Sequence, residues 1–385
     1  MILSEMVGAI MKILIILGTR PEAIKLAPLI NVLKNNTNYD IKVCSTDQHK
    51  EMILQVLNIF DIKIDIHLNI MKVNQTLADI TSLAVTKLYD VIGEYKPNLV
   101  IVQGDTTTAF VGALPAFYHK VPVAHLEAGL RTYNIFSPFP EEANRKFISQ
   151  IASYHFAPTE KSYNNLINEQ IKENVYITGN SVIDALLYTS KYVETNKSLL
   201  DKLSAEYPFV HSEKKLILLT SHRRENHGSG LENICKAVKE IACRDDVNIV
   251  FPVHPNPNVR KTVYSYLSDI NNIFLIEPLD YISFTFMIKK AYLVLTDSGG
   301  VQEEAPTLGK PVIVLRDTTE REEAVVAGTA ILAGTECDNI IKETNILLDN
   351  KNIYDKMANA VNPYGTGDTC NIIVDIIKSK ESSLC

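Results

Sequence analysis

Short runs of β-branched residues and leucine recur along this chain, each followed by a longer amphipathic segment, and the scheme runs through twice. Strands buried on both faces and separated by helices read this way, so the alternation points to α/β architecture with doubly wound parallel sheets. In the first half the expected strands are Ile13–Leu17, Ile41–Ser45, Leu99–Gln103, Val121–His125 and Val175–Thr178. In the second half they are Leu216–Thr220, Val247–Val253, Ile273–Ile276, Leu293–Thr296 and Val312–Leu315. Among the expected helices, Ala23–Lys34 places Leu26, Ala27, Ile30 and Leu33 on one face. The natural reading is two Rossmann-like domains with a cleft between them. The first spans 11–178 and the second 179–365, while a helix within 366–385 returns to the first domain after the turn Tyr364–Gly367. Ligands of such sheets bind beyond the carboxyl ends of the strands, so functional residues are sought there.

A chain of 385 residues supports two cores of ordinary size. Its net charge of -7 argues against general nucleic-acid binding, so an anionic ligand needs a local basic site. No apolar run approaches the roughly 20 residues of a membrane span, and no membrane partner is expected. Residues 1–10 contain a glutamate and no basic region, so they read as an N-terminal extension rather than a signal peptide, with Met11 as the functional start. The cysteines at 44, 235, 243, 337, 370 and 385 lie too far apart for a zinc motif or a disulfide framework, which fits a reducing cytoplasm and no bound metal.

Three groups of residues have chemical potential. Leu293–Lys310 reads as a buried strand, then Asp297-Ser298-Gly299-Gly300, then a helix opening with Gln302, Glu303 and Glu304. Free N–H groups at the helix start, two glycines and a serine hydroxyl suit a phosphate, and Glu304 one turn in suits ribose hydroxyls; a plain capped turn is the alternative. After the first strand, Arg20 and Lys25 flank another helix start whose Pro21 belongs to the first turn, making a second anion site unless these cations pair with carboxylates. Asp105, Glu127 and Glu141 each follow a strand or lie in the loop beyond one. Singly, Asp105 is also a candidate helix cap, and Glu127 a partner for Arg131 or Arg145. Together with the anion sites they suggest proton transfer on a nucleotide-linked sugar, or stabilisation of charge developing on it. His222, in the first loop of the second domain, suits a departing phosphate. His254 is a weaker candidate among prolines that chiefly shape a loop.

The runs GTRPEAIKLAPL from Gly18, GDTTTAF from Gly104, HLEAGLRT from His125, SPFPEEANR from Ser137, TSHRREN from Thr220 and DSGGVQEEAPTLGKPV from Asp297 closely resemble the non-hydrolysing UDP-N-acetylglucosamine 2-epimerases. The match covers nearly the whole chain beyond Met11. It implies the two-domain GT-B fold of many nucleotide-sugar glycosyltransferases, a homodimer, and no cofactor. By resemblance, Arg20 and Lys25 meet the diphosphate, Ser298, Gly299 and Gly300 cradle it, Glu304 binds ribose, Phe284 and the backbone near Leu279 form the uracil pocket, and Arg321 also binds substrate. Asp105, Glu127, Glu141 and His222 match the catalytic set, of which Asp105, Glu127 and His222 also contact the substrate. The implied partners are UDP-N-acetylglucosamine and UDP, and the implied chemistry is anti elimination of UDP to 2-acetamidoglucal followed by re-addition.

Departures from the family pattern are Glu322, where proline usually follows TTER, and Asp47, where a small residue is more usual. Some bacterial relatives carry an allosteric UDP-sugar site with a glutamine in the QH motif and an arginine before QTL. Gln48 and Gln75 are kept, but Asn74 replaces the arginine, leaving that set incomplete. Alternatives to the leading reaction are the same chemistry on another UDP-sugar such as a 2,3-diacetamido uronate, glycosyl transfer, hydrolytic epimerisation, and ligand binding without catalysis.

Overall fold

The computed structural model describes residues 10–71, 75–226 and 228–384. Most of the expected N-terminal extension, together with Asn74 and Cys385, therefore lies outside the described residues. The chain forms two compact units, one holding the chain up to Ala185 together with the stretch from Tyr364 onward, the other Leu186–Pro363. The division falls inside a single helix, Ser181–Thr195.

The first unit carries β1 (Met11–Leu17), β2 (Tyr39–Ser45), β3 (Ile66–His67), β4 (Leu99–Gln103), β5 (Val123–Leu126), β6 (Tyr154–Ala157) and β7 (Val175–Ile177). Their order is β3-β2-β1-β4-β5-β6-β7, with every pairing parallel. The second unit carries β8 (Lys215–Thr220), β9 (Val247–Pro252), β10 (Ile273–Ile276), β11 (Leu293–Thr296), β12 (Val312–Val314) and β13 (Ala330–Leu332). They run β10-β9-β8-β11-β12-β13, again all parallel. Each sheet thus reverses its strand order beside its first strand, between β1 and β4 and between β8 and β11. At such a switch point neighbouring loops leave in opposite directions and open a crevice at the carboxyl ends. This is the two-domain α/β architecture that the alternation predicts.

Burial follows the parallel arrangement. All five residues of β4 are buried, as are the last five of β1, because helices cover both faces. Separate apolar cores result, one built around Leu14, Ile16, Val100 and Val102 and the other around Ile217, Leu219, Ile249 and Leu295. The helix Arg20–Lys34 departs from the expected single apolar face: Ala23, Leu26, Ala27, Leu29, Ile30 and Leu33 are all buried. The helix Thr369–Ser379 packs against it, so it is covered both by its sheet and by the returning chain.

Candidate active site

In the first unit, the candidate residues gather after β1, β4 and β5. Gly18 directly follows β1, at a point where a methyl group would overlap the hydroxyls of Thr46 and Thr108, so only glycine permits this close approach. Thr19 caps the next helix. The fully buried Glu22 reaches back to it, accepting from Thr19 N–H and Oγ1 at 2.7 Å each, from Gly18 N–H at 3.0 Å and from Thr106 Oγ1 at 2.7 Å. Burial pushes its carboxyl up to about 7, against the pull of these four donors. Glu22 therefore ties the β1 and β4 loops together. Arg20 opens the helix half-buried, and no hydrogen bond or ion pair joins its guanidinium to another described residue.

Lys25, expected at an anion, pairs with Glu127. Glu127 sits in the left-handed region at φ 59°, just past β5, and its carboxylate also accepts from Gln103 Nε2 and, at 3.3 Å, from Asn180 Nδ2. Of the alternatives open in the sequence, Arg131 instead holds Glu169 at 2.7 Å, and Arg145 holds Asp105. Asp105 is not the helix cap, since Thr106 takes that place by accepting from Ala109 N–H at 3.0 Å. Asp105 Oδ2 instead receives Arg145 Nη2 at 2.6 Å and Nε at 2.8 Å. Glu141 opens the helix Glu141–Ile151, half-buried. Its neighbour Glu142 is fully buried. It accepts from Thr132 N–H, Tyr133 N–H and Arg145 Nη1 at 3.1–3.2 Å.

His125 lies beneath these loops, fully buried, donating from Nε2 to the Gly104 carbonyl at 2.7 Å. Burial lowers it to about 4, and lowers the adjacent His155 to about 3. A neutral buried histidine loses stability as the pH falls, because the unfolded chain takes up a proton near ~6.5 that the folded chain refuses until about 4. The cost of His125→Gln, measured by urea unfolding, should therefore be smaller at pH 5 than at pH 7 by about 2 kcal/mol. A pH-independent difference would show that His125 does not titrate in that window.

In the second unit Asp297, fully buried, organises the β8 loop. Its Oδ2 accepts from Ser221 Oγ, His222 N–H, Arg223 N–H and Asn226 Nδ2 at 2.9–3.0 Å. His222 Nδ1 stands 3.5 Å from the other oxygen, and its ring stacks on His254 with centroids 5.8 Å apart. Burial holds His222 below its ordinary value, with Arg223 and His254 adding to this and Asp297 opposing it. Ser298 precedes the helix Gly299–Thr307, and its own N–H is taken by Thr296 Oγ1 at 2.9 Å. The donors left for an anion therefore begin at Gly299 and Gly300. Arg321 lies over Gly299, where a Cβ would sit 3.4 Å from its Cζ, and its Nε donates to Glu303 at 2.8 Å. Glu304 is buried one turn into the helix, with its Oε2 3.7 Å from where a Cβ on Gly300 would be. Phe284 and Leu279 are half-buried at the start of the helix Tyr281–Lys290, which Asp280 caps through Ser283 N–H at 2.7 Å.

Both departures have local explanations. Glu322 opens the short helix Glu322–Val326, a position that suits an acid as well as a proline. Asp47 adopts φ 62° and accepts from His67 Nδ1 at 2.9 Å and Asn69 N–H at 3.2 Å, which fastens the β2 loop. Among the described residues, no cluster of three or more histidine, cysteine or acidic side chains is arranged to hold a metal ion.

The family model described as UDP-N-acetylglucosamine 2-epimerase matches residues 31–378. The chain belongs to the UDP-N-acetylglucosamine 2-epimerase family. The epimerase of Campylobacter jejuni is 52% identical over 96% of this chain and 98% of its own length. The crystal structure of the Neisseria meningitidis epimerase bound to UDP-GlcNAc is 50% identical, with a TM-score of 0.90 over 96% of this chain and all of that one. The Methanocaldococcus jannaschii epimerase, solved in complex with UDP-GlcNAc and UDP, is 38% identical with a TM-score of 0.78, over 96% of this chain and all of that one. Family membership and the GT-B-like fold are thereby shown. The sequence motifs do not single out the residues that hold Asp105, Glu127 and the His222 loop in place, namely Gln103, Glu142, Asn144, Asn180 and Asp297. The signal for Asp297 was present, as an acid directly after a buried strand; the others are polar residues whose partners lie far away in the chain.

Proposed function

We propose that the protein interconverts UDP-N-acetylglucosamine and UDP-N-acetylmannosamine without hydrolysis. The C1–O bond breaks with its electron pair going to UDP, a carboxylate takes the C2 proton on the anti side, and 2-acetamidoglucal forms. UDP then adds back to C1 while a proton is delivered to the opposite face of C2. The C2 proton is not acidic in the ground state, so C1–O cleavage must lead, and carboxylates stabilise the positive charge that builds at C1.

Asp105, Glu127 and Glu141 are assigned to the sugar. Arg20, Lys25 and His222 are assigned to the diphosphate, together with the N–H groups that follow Ser298 at Gly299 and Gly300. Glu304 is assigned to ribose, Phe284 and the Leu279 backbone to uracil, and Arg321 to further substrate contact. The supporting observation is that two carboxylates after neighbouring strands β4 and β5 are immobilised by dedicated donors in a chain half-identical to named epimerases. UDP must stay bound through the glycal stage, and a helix start with adjacent cations suits that retention.

The same reading includes a homodimer, supported by exposed rings of Tyr89, Phe117, Tyr118 and Phe147 on first-unit helices. It also includes a cytoplasmic setting, supported by the free state of the five described cysteines.

Incubation with UDP-N-acetylglucosamine in heavy water, followed by NMR of the sugar C2 proton, tests the reaction. Deuterium at C2 with the UDP-sugar intact is expected. Accumulating UDP without exchange overturns the proposal, and exchange seen only with a 2,3-diacetamido uronate reassigns the sugar.

A further inference from the structure

The helix Glu141–Ile151 begins with EEANR, and three of those five residues bear on Asp105, Asn144 and Arg145 directly and Glu142 through Arg145. Glu141 is a proposed acid. Arg145, buried to 7% exposure, gives Nη2 and Nε to the same oxygen of Asp105. Asn144 Nδ2 donates to the Asp105 backbone carbonyl at 2.9 Å. Glu142 accepts from Arg145 Nη1 while taking the N–H groups of Thr132 and Tyr133. Asp105 Oδ2 is thereby committed to the guanidinium, while Oδ1 receives no hydrogen bond from a described residue. A fork fixed at one end by a buried carboxylate has little freedom to turn, so the Asp105 rotamer is set by this helix.

We propose that Arg145, held by Glu142 and supported by Asn144, is the positioning residue that fixes the Asp105 carboxylate relative to Glu141 and leaves one oxygen of Asp105 for the substrate. The inference rests on the proposed epimerase reaction. It assigns a role to a cation that makes no contact with the diphosphate in that reading, and it explains why a buried arginine sits among acids that act on a sugar. A misplacement of the order of 1 Å at a reacting group costs about 100-fold in rate.

The test is a double-mutant cycle in the full chain, with Arg145→Met and Asp105→Asn singly and together, read as kcat and KM for UDP-N-acetylglucosamine beside a thermal unfolding curve. Arg145→Met should lower kcat about 100-fold with little change in KM. In the Asp105→Asn background the same substitution should cost less than about threefold, since the group it positions is already gone. Added guanidinium ion should restore part of the activity of Arg145→Met but none of the double variant. If Arg145→Met does not fold, Arg145→Lys carries the same cycle, with an expected loss of about tenfold. Equal losses in both backgrounds, or a folded variant with wild-type kcat, overturn the positioning role. A wild-type protein that fails to exchange the C2 proton removes the proposed reaction and this inference together; normal exchange with unaffected variants removes this inference alone.

Discussion

Glu127→Gln is expected to lower C2 proton exchange by about 1,000-fold while leaving UDP affinity nearly unchanged. One oxygen of Glu127 receives both Lys25 and Gln103, and the other receives Asn180. A glutamine can put its carbonyl oxygen in the first position, but its amide then faces the Asn180 amide, donor against donor. Rotated the other way, it turns a donor toward Lys25. Either choice costs about 1–2 kcal/mol of local stability and removes the negative charge that balances Lys25. The rate loss is far larger than this, because an amide can neither accept the C2 proton nor stabilise positive charge at C1. UDP affinity is spared because most of its proposed contacts, from Phe284 to Arg321, belong to the second unit. Exchange within tenfold of wild type would remove Glu127 from the reaction, whereas equal losses in exchange and in UDP binding would make it a ligand rather than a base.

Asp297→Ala should produce the largest change in stability. One oxygen of this fully buried carboxylate receives two backbone N–H groups, a serine hydroxyl and an asparagine amide. Removing it strands the two N–H groups and the serine hydroxyl, while Asn226 keeps its bond to the Leu315 carbonyl, at a total cost of about 4 kcal/mol. Because the chain has two units, a single melting temperature is a poor measure, and amide hydrogen exchange in β8 and β11 is the better one. Protection there should fall by about three orders of magnitude, the equivalent of about 4 kcal/mol, while β1 and β4 keep theirs. UDP binding should fall with it, since the His222 loop is built on this carboxylate and Asp297 directly precedes Ser298. Unchanged protection in β8 would show that the loop is held by something else.

Much of the architecture was readable in advance because its cause is local. A strand buried on both faces must be apolar, a helix between sheet and solvent must be amphipathic, and both patterns are written in consecutive residues. Ten strands follow from such runs. β3, β6 and β13 do not: Ile66–His67 is only two residues long, and neither Tyr154–Ala157, which contains no β-branched residue or leucine, nor Ala330–Leu332, with a single β-branched residue, makes the run by which the other strands are recognised. The helix Arg20–Lys34 shows the limit from the other side: its second buried face is made by chain more than 300 residues away, which no local pattern reveals.

The candidate site divides along the same line. That Arg20, Lys25, Asp105, Glu127, His222 and Ser298 stand near strand ends or helix starts follows from the sequence, because strand boundaries and motif chemistry are both local. Which of them neutralise one another does not. Lys25 lies 102 positions from Glu127, Arg145 lies 40 from Asp105, and Asp297 lies 75 from the His222 N–H it holds. Short stretches of sequence record which groups a residue has to offer, whereas pairing between groups so far apart is set by which strands become neighbours. Local patterns are enough to fix the α/β class and to put the candidate groups at loop starts. The order of the strands, not the motifs, makes Lys25 a partner of Glu127 and Arg145 a partner of Asp105, and ties the aspartate before Ser298 to the His222 loop. Charged groups that folding removes from water must find partners wherever the topology places them.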